Sequence, residues 1–188
     1  MSCKLIVYFL YFICFIANSA IAEDEEEDCA IVFSDTMEDC DGFDNEYMEI
    51  PSMALKYDAT NGTISMTGIL KLLKTIGDEY QLEIRLSKVA GSSCSDVMWL
   101  GANNICGALK EKDAPWYPVA QQLNIKECPI AAEEFLLDNL LMDGSSASDF
   151  CAPEMFGDYC IQLSVLNARN DPVICFVAYV AIEDPDDK

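Results

Sequence analysis

The sequence predicts an all-β protein, an antiparallel β-sandwich with one short helical loop. Apolar and polar residues alternate strictly over 79–87, the pattern of a strand with one buried face. A similar alternation over 52–58 resumes at Ile64, on the far side of the hairpin-turn dipeptide Asn61-Gly62. Two apolar segments, 158–166 and 173–182, flank a turn-rich linker and predict a closing hairpin. Short strands separated by turns favour two stacked sheets.

The remaining segments are less regular. Residues 103–112 predict a short helix, which the proline-containing segment 113–118 should end. Residues 130–142 fit either a helix or a short strand. Trp99 and the pair Trp116-Tyr117 are expected in loops near cysteines, where they pack on the core or line the rim of a pocket.

The first 22 residues predict a secretory signal peptide. Lys4 precedes an apolar run of 13 residues, and Ala20-Ile21-Ala22 fits the small-x-small cleavage pattern. The alternative, a membrane anchor, needs about 20 apolar residues. We therefore expect an acidic N-terminal arm at 23–32, one sandwich domain at 33–183 and an acidic tail at 184–188. Localisation should be extracellular or in the endolysosomal lumen.

The cysteines predict a disulfide framework. Of ten cysteines, Cys3 and Cys14 lie in the signal segment, which leaves an even number for an oxidising compartment. Eight cysteines allow about 105 pairings, so counting does not assign partners. The sequence has no histidine and no CxxC pair, which argues against a zinc site.

Charge and motif content exclude several classes of function. With 33 acidic and 11 basic residues, the net charge of −22 opposes nucleic-acid binding. Without histidine, Ser-His and Cys-His nucleophiles are excluded, and no phosphate-cradling glycine loop is present. We expect no enzymatic activity, no cofactor and no metal. Carboxylates titrate near about pH 4, so we expect transient membrane contact only at low pH.

One N-glycosylation sequon, Asn61-Gly62-Thr63, falls on the predicted hairpin tip. A glycan attached to Asn61 at such a tip would extend into solvent. The sequence therefore predicts a glycoprotein.

The chain resembles the ML lipid-recognition domain family, especially its ganglioside-activator-like branch and related secreted arthropod proteins. The similarity runs from about Phe33 to Ile182 and depends on the order of short motifs. These are Phe33-Ser34, Asp39-Cys40-Asp41, Thr60 through Ser65, Ile84-Arg85-Leu86, Asn104-Ile105-Cys106, Cys128-Pro129, Gly157-Asp158-Tyr159 and the strand around Cys175.

The resemblance implies an immunoglobulin-like sandwich whose sheets part around an apolar cup. It implies the pairs Cys40 with Cys175 and Cys106 with Cys128, leaving Cys29, Cys94, Cys151 and Cys160 less well matched, with Cys151 and Cys160 a plausible local pair. The side chains expected to line the cup are Met53, Leu55, Tyr57, Ile64, Met66, Leu82, Ile84, Leu86, Phe135, Leu137, Ile161, Leu163, Phe176 and Ala178.

The implied function is to hold a lipid or other apolar small molecule between the two sheets, for transfer or presentation. The alternative is an extracellular immune or signalling module that binds a basic protein through its acidic surface, with an affinity that falls steeply with salt.

Overall fold

A computed structural model describes residues 29–34, 36–91, 93–114, 116–125, 127–144 and 150–184. The predicted signal peptide, residues 23–28 of the predicted arm and most of the predicted tail lie outside these ranges. No helix in the described ranges is both long enough and apolar enough to cross a membrane.

The described chain is built mainly from antiparallel strands, as predicted. Its strands are β1 (Ala30–Phe33), β2 (Glu38–Asp39), β3 (Met48–Asp58), β4 (Thr63–Leu72), β5 (Gln81–Ala90), β6 (Ser93–Ala102), β7 (Glu134–Asp143), β8 (Gly157–Leu166) and β9 (Pro172–Glu183). Two short helices, α1 (Ile105–Ala108) and α2 (Tyr117–Gln122), and a 3-10 turn (Pro153–Met155) complete the described elements.

The strands form two sheets. The large sheet has the order β1-β9-β8-β5-β6, with β2 pairing with β9, and the small sheet has the order β3-β4-β7. The predicted all-β antiparallel sandwich is therefore confirmed. The last strand is apolar on both faces because β9 lies inside the large sheet, between β8 and the short strands β1 and β2.

Two predicted hairpins are also confirmed. Strands β3 and β4 pair around a turn in which Gly62 has a φ of 56°, a conformation that glycine adopts without steric cost. Asn61 is exposed in this turn, and its side-chain amide donates to Asp58 Oδ2 over 2.7 Å. Glycosylation of Asn61 stays a prediction. Strands β8 and β9 form the closing hairpin.

The helical region differs in part from the prediction. Helix α1 starts where expected, and the Asn104 side chain caps it by accepting from the Gly107 N–H over 2.6 Å. Tyr117, expected in a loop, instead begins a second helix, α2; Pro118 is compatible with it because it lies in the first turn, where a missing N–H costs nothing. Of the two alternatives for residues 130–142, the strand is correct, because most of this segment lies in β7.

The boundary of the predicted arm is wrong by three residues. Residues Ala30–Phe33 form β1, which pairs with β9, so the sandwich begins inside the segment assigned to the arm. A strand of only four residues directly after an acidic run gives too short an alternation to detect. Its pairing comes from β9, which is distant in the sequence.

Three disulfides fasten the sandwich. The predicted pairs Cys40–Cys175 and Cys106–Cys128 are confirmed. The local pair of Cys151 with Cys160 is wrong, because Cys151 bonds Cys29 and so ties the start of β1 to the segment before β8. Cys160 lies within β8 and is buried, whereas Cys94 is exposed on β6, and both are free thiols.

We expect iodoacetamide at about pH 8 to modify Cys94 and to leave Cys160 unmodified in the folded protein. Burial, together with a hydrogen bond to Cys94, raises the pKa of the Cys160 thiol to about 11, so that it stays protonated and unreactive. Peptide mass mapping measures both sites. Equal modification of the two thiols would contradict this, and modification of both after unfolding is the control.

Candidate ligand-binding site

The inner faces of the two sheets carry every residue predicted to line the cup. Residues directly opposite each other in antiparallel strands share a face. Along β5, Leu82 and Ile84 pair with Val165 and Leu163 of β8, and this face meets the small sheet. The candidates Leu82, Ile84, Leu86, Ile161, Leu163, Phe176 and Ala178 lie on the large sheet, and Met53, Leu55, Tyr57, Ile64, Met66, Phe135 and Leu137 on the small one.

The two sheets share one buried cluster, at one end of the sandwich. There, Leu72 and Phe135 of the small sheet pack in one buried cluster with large-sheet residues that include Ile174 and Phe176. Helix α1 contributes Ile105 to this cluster, and the disulfide at Cys106 holds the helix in place. This end is a packed core rather than a binding site.

Away from that end, each sheet has a buried cluster of its own. On the small sheet, Met53, Leu137 and Leu140 pack under α2, whose Gln122 side chain donates to the Asp138 carbonyl oxygen over 3.0 Å. On the large sheet, Tyr159, Val180 and Ile182 pack under the segment 150–156. Within the described structure, the two clusters draw no buried residue from the opposite sheet.

Several inward-facing apolar side chains lie between these clusters without joining one. Ile84 is half-buried at the centre of the inner face of the large sheet. Its partner on β6, Leu100, is 41% exposed, and the next inward residue, Met98, is 43% exposed. On the small sheet, Tyr57 and Ile64 pair with each other and are also half-buried. Among the described residues, none of these belongs to a buried cluster.

The edge strands β6 and β7 border the same side of the sandwich. Strands β1 and β3 are neighbours on one side of the sandwich, so the other edge strands, β6 and β7, border the opposite side. Sequence analysis missed Met98 and Leu100 because the run Val97-Met98-Trp99-Leu100 shows no alternation. An edge strand with both faces exposed has no reason to alternate. Trp99, predicted in a loop, lies on the outer face of β6 and is 68% exposed.

Charged groups are concentrated on the outside of the large sheet. Arg85 alternates with the inward-facing residues of β5 and so faces outward. It pairs with Glu83 over 2.6 Å and with Asp96 over 3.3 Å. The Ser87 hydroxyl donates to the same Asp96 carboxylate over 2.8 Å. Among described residues on the inner faces of β5, β6 and β8, the only charged side chain is Lys88.

Two surface hollows lie elsewhere. One of about 600 Å³ is on the outer face of the large sheet, and it includes Trp99, Arg85 and, of the predicted lining residues, only Leu82. Another of about 480 Å³ lies beside the helices, between Leu109, Tyr117 and Ile125. No group of three or more acidic or cysteine side chains in the described ranges is arranged to hold a metal ion.

Comparison with known proteins gives structural similarity at low sequence identity. No family model matches the chain, and no curated protein matches it. A Niemann-Pick type C2 protein from the Japanese carpenter ant is 14% identical, with a TM-score of 0.43, over 78% of this chain and 98% of that one. Chicken MD-1, in a complex with lipid IVa, is 13% identical, with a TM-score of 0.41, over 81% of this chain and 99% of that one. Similarity at this level assigns no family, and the predicted ganglioside-activator-like branch stays a prediction.

Proposed function

We propose that this protein binds a lipid or another apolar molecule between its two sheets and holds it without transforming it. The observation that carries the proposal is the set of inward-facing apolar side chains, centred on Ile84 and Leu100, that neither sheet buries. Transfer or presentation of the ligand, in an extracellular or endolysosomal compartment, follows from the predicted signal peptide and remains part of the proposal.

The energetics favour such a ligand. A lipid chain that leaves a membrane must have its methylene groups buried again, at about 0.8 kcal/mol each. Covering side chains such as Ile84 and Met98 with an acyl chain removes their apolar surface from water and so stabilises the complex in the same way. Methionine adapts to ligands of different shape because its side chain is unbranched and flexible. A space between two apolar faces would therefore bind an apolar ligand favourably.

The absence of histidine from the sequence supports a holding role rather than catalysis, because it removes the commonest general base at neutral pH. The acidic surface should also keep the protein off anionic membranes at neutral pH. We propose that membrane contact is transient and increases only when pH approaches the range in which carboxylates are protonated.

We expect the delipidated protein to take up a fluorescent fatty acid or sterol saturably and with a stoichiometry near about one. Uptake should saturate because the proposed site is a single apolar region of limited volume, for which different ligands should compete. Fluorescence titration measures uptake, and native mass spectrometry of the freshly purified protein detects any lipid carried from the host. Linear, non-saturable uptake together with the absence of extractable lipid would contradict the proposal, and a heat-unfolded sample is the control.

A further inference from the structure

Lys88 is a cation on an apolar surface, and its placement bears on which ligand the proposed site holds. It lies on the inner face of β5 opposite Tyr159, whose side chain is fully buried. The preceding inward residue on β5 is Leu86, which packs in the same large-sheet cluster as Tyr159 and Ile161. The ammonium group of Lys88 therefore lies next to the apolar surface on which the proposed function rests.

Lys88 lacks the carboxylate partner that four of the eight described cations have. Among the described residues, Lys71 and Lys74 pair with glutamates, and Arg85 and Arg169 with carboxylates. No carboxylate oxygen of the described ranges lies within 4.0 Å of Lys88 Nζ. Lys56, Lys110 and Lys112 also lack a carboxylate partner among the described residues, but they are exposed, whereas Lys88 is half-buried on the inner face of β5.

The contacts that Lys88 does make leave its charge uncompensated. Its Nζ donates to the Glu154 carbonyl oxygen over 3.2 Å and lies 5.4 Å from the centre of the Tyr159 ring. Both are dipolar or quadrupolar partners, which orient an ammonium group without neutralising it. Gly157 leaves room beside the lysine stem, since a Cβ there would lie 3.3 Å from Lys88 Cε. The ammonium is half-buried and retains N–H donors for another acceptor.

We propose that Lys88 binds the anionic headgroup of an amphiphilic ligand, a carboxylate or a phosphate, while the acyl chain lies along the inner face of β5 and β8. The proposal rests on the proposed function and narrows it to anionic lipids. Lys88 and Ile84 are four positions apart on β5, about 13 Å along the strand, so an acyl chain that starts at Lys88 reaches the half-buried Ile84 before the packed end at Leu82. Elsewhere the acidic surface repels an anion, so this lysine sets where the headgroup binds.

The test compares two ligands that differ only in a phosphate group, 1-oleoyl lysophosphatidate and 1-oleoylglycerol. Oleate tests the carboxylate, and inorganic phosphate tests a free anion. The variant Lys88→Met keeps the apolar stem and removes the charge, and Lys88→Arg restores it. Lys56→Met is the matched control, because Lys56 is an exposed lysine on the outer face of β3. Thermal melting confirms that each variant is folded.

We expect Lys88→Met to lower the affinity for lysophosphatidate and for oleate about tenfold or more, and to change the affinity for 1-oleoylglycerol by no more than about twofold. Lys88→Arg should recover most of the lost affinity. Equal binding of both oleoyl ligands, unaffected by Lys88→Met, would overturn the inference and leave the proposed function standing. Binding of inorganic phosphate alone that depends on Lys88 would also overturn it, in favour of a free-anion site. Failure of every oleoyl ligand to bind would instead defeat the proposed function.

Discussion

Replacing Leu100 with glutamate should reduce ligand uptake at least about tenfold while leaving the protein folded. Leu100 faces inward on an edge strand and is 41% exposed, so its side chain contributes little to the core but borders the proposed ligand site. A carboxylate there must lose water when an acyl chain covers it, and an unpaired charge in an apolar site costs several kcal/mol. Fluorescence titration with a fatty acid measures the loss.

The matched control for this change is Leu136→Glu. Leu136 is also an apolar residue on an edge strand, but it faces outward and is 69% exposed. A surface substitution of this kind usually changes stability by about 0.5 kcal/mol or less, and it should leave uptake unchanged. Equal loss of uptake in both variants would show that the inner face has no special role.

Truncating two isoleucines on the same face of the same sheet should have very different effects on stability. Ile174→Ala should lower the free energy of unfolding by about 2–5 kcal/mol, because Ile174 is 1% exposed within the cluster shared by both sheets. Ile84→Ala should cost roughly 1 kcal/mol or less in the ligand-free protein, because Ile84 is half-buried and outside any described cluster.

Urea unfolding of the delipidated protein, followed by tryptophan fluorescence or circular dichroism, measures both changes. The two residues have the same chemistry, so the difference between them reports how closely the small sheet approaches each position. A large cost for Ile84→Ala, matching that of Ile174→Ala, would mean that the sheets pack tightly over the whole interface. Adding ligand should increase the cost of Ile84→Ala, because the acyl chain then contacts the side chain.

The inward and outward faces of the strands could be predicted from the sequence, because alternation of apolar and polar residues is a local pattern. The pattern over 79–87 places Leu82, Ile84 and Leu86 together on one side of β5, and the structure has them there. The same holds for β3 and β4, whose register follows from the turn at Asn61-Gly62.

Other features depend on contacts that no local pattern encodes. Cys151 bonds Cys29 across a sequence separation of 122 residues, while the nearer Cys160 points to the other face of β8 from Tyr159. Strand β6 gave no alternation because it is an edge strand with both faces exposed. Alternation shows which face of a sheet is inward, but it carries no information on the distance to the opposite sheet. That Ile84 is only half-buried and lies outside the described clusters therefore required the structure.

A crystal structure of the protein with a bromine-labelled fatty acid tests the central claim most directly, because anomalous scattering locates the bromine atoms. We predict bromine density between the inner faces of the two sheets, in contact with Ile84 and Leu163, and the carboxylate near Lys88. Inner faces in direct contact along their whole length, with bromine absent or bound only on the outer surface, would contradict the account.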